Sequence, residues 1–352
     1  MVASERWLAM LRGEKTDRIP VIPVILGHCA KVMGKSDLGD FYTKPKFNIQ
    51  AQILTRELYK YDQPPFISDP GYFTECWGGK TLQPYNPKMG SPIPIQPAAK
   101  NAEELEKLEI PDPRRAPWTR EFREMISLAI AQKEMPWVQI MGGWISATAG
   151  MIVDLETFMM WLIEEPQLAK KALALTAEYA YISAESIVED FGADTWVPWD
   201  GNPTDSNVLI NAKMFEEFPL PYVKRLHKKM LDLGIPSIVT HWCADHTQNI
   251  KSGHIEKIPN GDNGVLSFGP EVPMELQVEK FGKKYNLLGN INPPLMMTST
   301  YDEWLALCKD NIEVGKEAEK GYALGVGCEL PPVSPPSNVF GLVKAAELYG
   351  KY

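Results

Sequence analysis

Three residues of the chain carry the chemistry of a metal centre: His241, Cys243 and Cys328. The first two close the run Ser237-Ile238-Val239-Thr240-His241-Trp242-Cys243, whose β-branched first half reads as a strand after the helix stop Gly234-Ile235-Pro236. Residues two apart in an extended chain point to the same side, so this imidazole and thiol aim together. Cys328 ends a second strand-like run that leaves through glycines, Gly321-Tyr322-Ala323-Leu324-Gly325-Val326-Gly327. Each signal alone is weak, because a buried cysteine is commonly a small hydrophobe. Together, one imidazole and two thiolates form a donor set that suits Zn²⁺. Three protein ligands leave a fourth position for substrate, as catalytic zinc requires; a structural zinc would take a fourth Cys or His. The long separation between Cys243 and Cys328 excludes a zinc finger, whose ligand pairs lie close in sequence.

Ligands so dispersed need a preformed fold to bring them together. Short apolar runs ending in Gly, Pro, Asp or Asn predict strands at Ile19 to Leu26, Pro65 to Ser68, Trp137 to Met141, Thr195 to Trp199, Ser237 to His241, Val265 to Phe268, Asn286 to Leu288 and Tyr322 to Val326. Stretches with helical periodicity lie between most of them, including Leu155 to Ile163, Gln167 to Phe191, Met214 to Leu233 and Tyr301 to Lys320. Strands alternating with helices imply parallel βαβ units. Eight such units make a (β/α)8 TIM barrel, with a doubly wound open sheet as the rival. In a barrel the three ligands would sit at the C-terminal mouth, where such folds place their active sites. The Pro-, Gly- and Tyr-rich stretch from 64 to 117 departs from this pattern and reads as an irregular hairpin excursion around Trp77-Gly78-Gly79. No linker or fixed-period repeat divides the chain, so one domain over residues 1–352 is expected.

Composition excludes some classes of function. A formal charge of −9 without a basic block argues against a nucleic-acid surface. No apolar run approaches the ~18–20 residues of a membrane span. The opening residues Met1-Val2-Ala3-Ser4-Glu5-Arg6-Trp7 lack the design of a signal peptide, and the expectation is a cytoplasmic protein. Five dispersed cysteines then read as buried thiols or metal ligands and not as a disulfide framework.

At these residues the sequence resembles the uroporphyrinogen decarboxylase superfamily, and more closely its corrinoid methyltransferase branch. The resemblance runs from Arg6-Trp7-Leu8-Ala9-Met10-Leu11-Arg12-Gly13-Glu14 through Gly192-Ala193-Asp194 and Leu288-Gly289-Asn290-Ile291-Asn292-Pro293 to Gly327-Cys328-Glu329. It implies a (β/α)8 barrel, in agreement with the strand count. The decarboxylases carry an arginine-rich segment after the first strand that binds an acidic porphyrin. Here that stretch is Leu26-Gly27-His28-Cys29-Ala30-Lys31-Val32-Met33, without arginine. The methyltransferases carry a zinc motif of His-x-Cys with a distant Cys, which His241, Cys243 and Cys328 match. In the coenzyme M enzymes Gly and Asn follow that motif, where this chain has Ala244-Asp245-His246.

The resemblance therefore implies zinc, and a corrinoid (cobalamin) carried by a separate partner protein, since no second domain is evident. The activity it implies is methyl transfer between the corrinoid's cobalt and a small substrate. The aromatic residues Trp144, Trp196, Trp199 and Trp242 at strand ends, with Tyr72, Phe73 and Trp77 on the excursion, suit a flat ring. They point to O-demethylation of an aryl methyl ether; a thiol acceptor of coenzyme M type is the alternative. A decarboxylase-like enzyme and a non-catalytic binding protein stand further off. Asp200 and Glu329 are the expected catalytic carboxylates, with Trp199, Asn202, Tyr72, Trp144 and Asn290 against the substrate. Asn292 is a further possible contact, His246 a supporting residue to the zinc, and His28 with Cys29 a reserve metal pair. The plainer readings are a turn for Asp200, a solvated loop carboxylate for Glu329, a loop cap for Asn290 and Asn292, an exposed loop residue for His246 and core packing for the aromatics.

Overall fold

Central strands covered on both faces need continuous apolar sequence, and the runs expected as strands have it. The computed structural model describes residues 1–35, 37–68, 73–86 and 89–352. Nine strands lie among them: β1 Phe66–Ile67, β2 Lys80–Leu82, β3 Ile93–Gln96, β4 Trp137–Gln139, β5 Val197–Gly201, β6 Val239–Trp242, β7 Val265–Phe268, β8 Asn286–Leu288 and β9 Tyr322–Ala323. Seven form one curled sheet in the order β1-β4-β5-β6-β7-β8-β9. Every pair in it is parallel. Helices link successive strands and pack around the sheet, giving a TIM-barrel-like α/β fold. β2 and β3 form a separate antiparallel pair within the excursion.

The expected first strand is the exception. Of Ile19 to Leu26 only Val21 makes a β-bridge, parallel to Leu324. Pro20 and Pro23 have no N–H to donate to a ladder, and Val24 takes φ 52°. The seam is joined by single bonds instead. Ile22 N–H donates to the Leu324 carbonyl at 2.8 Å and Asp62 N–H to the Val21 carbonyl at 2.7 Å. The Gln63 side chain accepts from Ile25 N–H and donates back to the Ile25 carbonyl, at 2.9 and 3.1 Å. Gly325 makes the close approach possible, because a Cβ there would stand 2.2 Å from the Ile22 carbonyl oxygen.

No single helix among the described residues is long and apolar enough to cross a membrane. The one apolar pair, Ile145–Val153 and Leu155–Glu164, bends by 106° and packs against the long helix Pro166–Phe191. That long helix begins on a proline in its first turn and stops at Gly192, φ 87°. The helix Pro219–Asp232, which follows β5, brings His227 against the sheet.

Candidate metal centre

β6 delivers His241 toward the inside of the curled sheet and Trp242 to the outside, where its ring packs edge-on against Phe215 and His246. Cys243 follows on the same side as His241. β9 runs on past Gly325 and Gly327 to Cys328. Gly327 N–H donates to the Ile291 carbonyl and Leu330 N–H to the Val24 carbonyl, fixing the chain on either side of that cysteine. The ligand atoms of His241, Cys243 and Cys328 all lie within 4.8 Å of one another. The two sulfurs are 3.8 Å apart. A tetrahedral zinc with sulfurs at about 2.3 Å would set them about 3.8 Å apart.

The imidazole is oriented for the same purpose. Nδ1 lies 3.1 Å from Ser267 Oγ, which the register places beside His241 on β7. Nε2 is buried without any hydrogen-bond partner. An orphaned buried nitrogen costs about 1–3 kcal/mol, and a cation facing it would remove that cost. The Trp199 ring stacks on His241 at 5.8 Å and fixes its plane. The hydrogen bond between the thiols lowers Cys243 and raises Cys328. A soft donor set of one imidazole and two sulfurs fits Zn²⁺. Ser267→Ala should weaken zinc binding about 10- to 100-fold, measured by competition with a chromogenic chelator, while Ser267→Thr retains it.

The three side chains meet at the C-terminal ends of the strands. His241 and Cys328 help line a cavity of about 260 Å³, with Phe66, Gln139, Trp144, Trp199 and Glu329 on its walls. Glu329 is the only carboxylate among the described lining residues, which include no Lys or Arg. Burial pushes its carboxyl up to about 8, Cys328 adding to the effect and Gly27 N–H opposing it.

The chain belongs to the uroporphyrinogen decarboxylase family. The family model described as Uroporphyrinogen decarboxylase (URO-D) matches residues 3–349. Among curated relatives, Methylcobamide:CoM methyltransferase MtaA of Methanosarcina barkeri is 27% identical over 98% of this chain and 97% of its own. A uroporphyrinogen decarboxylase of Anaeromyxobacter dehalogenans is 20% identical over 99% of both. Among solved structures a methyltransferase from Methanosarcina mazei superposes with a TM-score of 0.82 at 21% identity, covering 99% of each chain. That superposition supports the fold assignment.

Within this family member the other expected site residues fall into three groups. Trp144, Trp199 and Glu329 line the cavity. Asp200 and Asn290 lie behind it, with their polar atoms engaged. Asp200 Oδ1 accepts from Trp144 N–H at 3.0 Å and Oδ2 meets His227 Nε2 at 2.9 Å. Asn290 Nδ2 donates to the carbonyls of Gly269 and Val272 at 2.9 and 2.8 Å. Asn202 is buried, and neither atom of its amide has a partner. Tyr72 lies outside the described residues, as does the side chain of Phe73.

The remaining expectations resolve into structural contacts. His246 Nε2 donates to the Asn202 carbonyl at 3.1 Å and Nδ1 accepts from Asn249. Burial pushes its imidazole down to about 4, which keeps it neutral for that pattern. His28 bridges the Pro332 carbonyl and the Tyr59 hydroxyl, each at 3.0 Å. Burial raises Cys29 to about 12. Trp196 donates to the Gly192 carbonyl, and Trp77 packs edge-on against Tyr179.

Sequence reasoning missed Ser267 and His227. A serine inside the apolar run Val265–Phe268 was the available signal for the first. The second gave none, since His227 sits in an ordinary amphipathic helix.

Asp205 adds a measurable pH dependence. Asp205 is buried, with the Ser146 hydroxyl as the polar group set against it. Burial pushes the group from 3.8 to about 7, with Asp200 adding to the shift and the Ser146 hydroxyl opposing it. The folded state therefore holds this proton more tightly than the unfolded chain. The associated stability is present below pH 3.8 and is lost as the pH rises to about 7. Asp205→Asn should abolish that loss, leaving the variant more stable than wild type at pH 8 by up to about 4 kcal/mol. Urea unfolding at pH 5 and pH 8 reads the difference.

Proposed function

We propose that the protein is a zinc-dependent methyltransferase. In this reading it moves a methyl group between a small substrate and the cobalt of a corrinoid held by a partner protein. The observation that carries the reading is the convergence of His241 Nε2, Cys243 Sγ and Cys328 Sγ within 4.8 Å, with Nε2 otherwise unpartnered. When bound, zinc would supply Lewis acidity to a substrate oxygen or sulfur at the position left open. Trp144, Trp199 and Phe66 offer aromatic faces that hold a flat ring and exclude water. The carboxyl of Glu329 is the group assigned to exchange a proton with the substrate heteroatom.

The preferred substrate is an aryl methyl ether. The cavity supports it, because an acidic thiol would meet no Lys or Arg among the described lining residues. Methylcorrinoid:thiol transfer is the second reading, favoured by the name of the MtaA relative. The test mixes zinc-loaded protein with free cob(I)alamin and a panel of methoxyarenes, or with methylcobalamin and thiols, and follows the corrinoid spectrum. Turnover of methoxyarenes is the expected result. Turnover with thiols alone would remove the aryl ether, and decarboxylation of a porphyrinogen without metal would remove the methyltransferase.

A further inference from the structure

The run Trp137 to Met141 is apolar except for Gln139. Gln139 is the last residue of β4 and pairs in register with Trp199 of β5. Trp199 pairs in turn with Val239 of β6, two residues before His241. Residues two apart on a strand share a face, as do residues paired across neighbouring strands. Gln139, Trp199 and His241 therefore all point into the cavity, and all three line it. The Gln139 amide starts two strands across from His241 and one inward-facing position deeper. The Trp199 ring, stacked on His241 at 5.8 Å, belongs to the strand between them.

A polar side chain on a buried strand has to place its hydrogen bonds somewhere. Gln139 is 3% exposed, and one half of its amide is satisfied: Ser68 Oγ donates to Oε1 at 2.7 Å. The pairing of β1 with β4, Phe66 opposite Trp137 and Ile67 opposite Val138, brings Ser68 to that place. The bond also orients the amide, because a carboxamide held at Oε1 presents its NH2 group on the other side. Among the described residues no partner meets Nε2. Nor is that nitrogen sealed within protein, so its N–H groups open on the cavity. Tyr42, also on the wall, has its hydroxyl engaged by the Gly90 carbonyl at 2.7 Å. Trp144 forms a further wall, in a left-handed conformation (φ 59°, ψ 52°) with its N–H donated to Asp200 Oδ1.

We propose that Gln139 is a specificity-determining residue whose Nε2 donates to a second oxygen on the ring of an aryl methyl ether, meta or para to the reacting methoxy group. The proposal rests on the aryl ether reading given above and adds what that ring must carry. An ortho oxygen would lie beside the metal-bound atom. Gln139, two strands away, faces the far edge of a ring laid against Trp199. The oxygen it selects is uncharged, a hydroxyl or a second ether. A carboxylate would find no Lys or Arg among the described lining residues, and a buried anion without a partner is costly. A ring with only C–H at that edge shuts water away from Nε2 and leaves the donor unpaired, which weakens binding. A site built to hydrogen-bond a substrate oxygen therefore rejects the analogue lacking it more sharply than an apolar pocket rejects a changed alkyl group.

The test uses the zinc-loaded full chain without corrinoid, so that nothing turns over, and two pairs of phenols matched in shape. These are 4-methoxyphenol against 4-ethylphenol and 3-methoxyphenol against 3-ethylphenol, a methylene replacing the ether oxygen in each pair. Binding is read by titration calorimetry. Wild type should prefer the methoxy member of at least one pair about tenfold. Gln139→Met, similar in length but without a donor, should erase that preference by weakening the methoxy compound and keeping the ethyl one. Ser68→Ala frees the amide to turn and should lower the preference about threefold, with circular dichroism unchanged in both variants. Equal affinities within both pairs in wild type, or a preference that survives in folded Gln139→Met, would overturn the assignment and leave the aryl ether reading standing. Should Gln139→Met misfold, an unchanged preference in Ser68→Ala overturns it instead. Failure of wild type to bind any of the four phenols would overturn the aryl ether reading, and the assignment with it.

Discussion

Replacing Cys328 with alanine is expected to strip the protein of zinc and of methyl transfer while leaving it folded. Two ligands remain in the variant, and His241 Nε2 returns to the unpartnered state it has without a cation. Loss of a direct ligand should exceed the roughly 10- to 100-fold penalty typical of supporting residues. The fold should survive because the neighbouring backbone is fixed independently, by Gly327 N–H on the Ile291 carbonyl and Leu330 N–H on the Val24 carbonyl. Three measurements check this: zinc content after dialysis, circular dichroism, and melting temperature with and without chelator. A cation bound only by the folded state raises its stability by mass action. Chelator should therefore lower the melting temperature of wild type and leave that of Cys328→Ala unmoved. A variant that keeps stoichiometric zinc would show that these side chains do not share an ion.

How much of this arrangement was legible in the sequence depends on whether the information was local. The barrel-like fold was legible, because β5, β6, β7 and β8 are apolar runs bounded by helix stops. Alternation put His241 and Cys243 on one side of β6, but Trp242, expected against a flat ring, is turned by that same alternation to the outside, where it packs on Phe215 and His246. The first run failed as a strand for a local reason that was visible, namely the two prolines that break its donor pattern. Other features required the register. Ser267 meets His241 only because β6 and β7 pair Thr240 with Leu266 and His241 with Ser267. Asn290 sits at a strand end, as expected, yet turns its amide to the carbonyls of Gly269 and Val272. A strand end specifies which end of the barrel a residue occupies and leaves its hydrogen-bond partners to tertiary packing. Ala244 is a subtler case. It takes φ 64° directly after Cys243, a conformation suited to the glycine found there in the coenzyme M branch that the sequence resembles.

The second large effect concerns Asp200, for which two roles make opposite predictions. As a catalytic carboxylate it would be needed as an acid or base, and Asp200→Asn would abolish turnover. The geometry favours an anchor, since Asp200 is 1% exposed and both oxygens are committed. Asparagine can serve as that anchor. Its carbonyl oxygen accepts from Trp144 N–H as Oδ1 does. Its amide donates to His227 Nε2, provided His227 is neutral and gives its Nδ1 proton to the Pro259 carbonyl. Asp200→Asn should therefore keep most of the stability and kcat. Asp200→Ala leaves Nε2 of a fully buried histidine and the Trp144 N–H without partners, His227 keeping only its contact to the Pro259 carbonyl. Breaking such a pair from one side costs about 3–5 kcal/mol, which for a chain of this size lowers the melting temperature by roughly 5 °C. Released from Oδ1, Trp144 should also leave its left-handed conformation, raising KM more than it lowers kcat. The pair of variants separates the two roles: an inactive but stable Asp200→Asn would make the carboxylate catalytic, whereas an active Asp200→Asn beside an unstable Asp200→Ala leaves it holding the wall of the site.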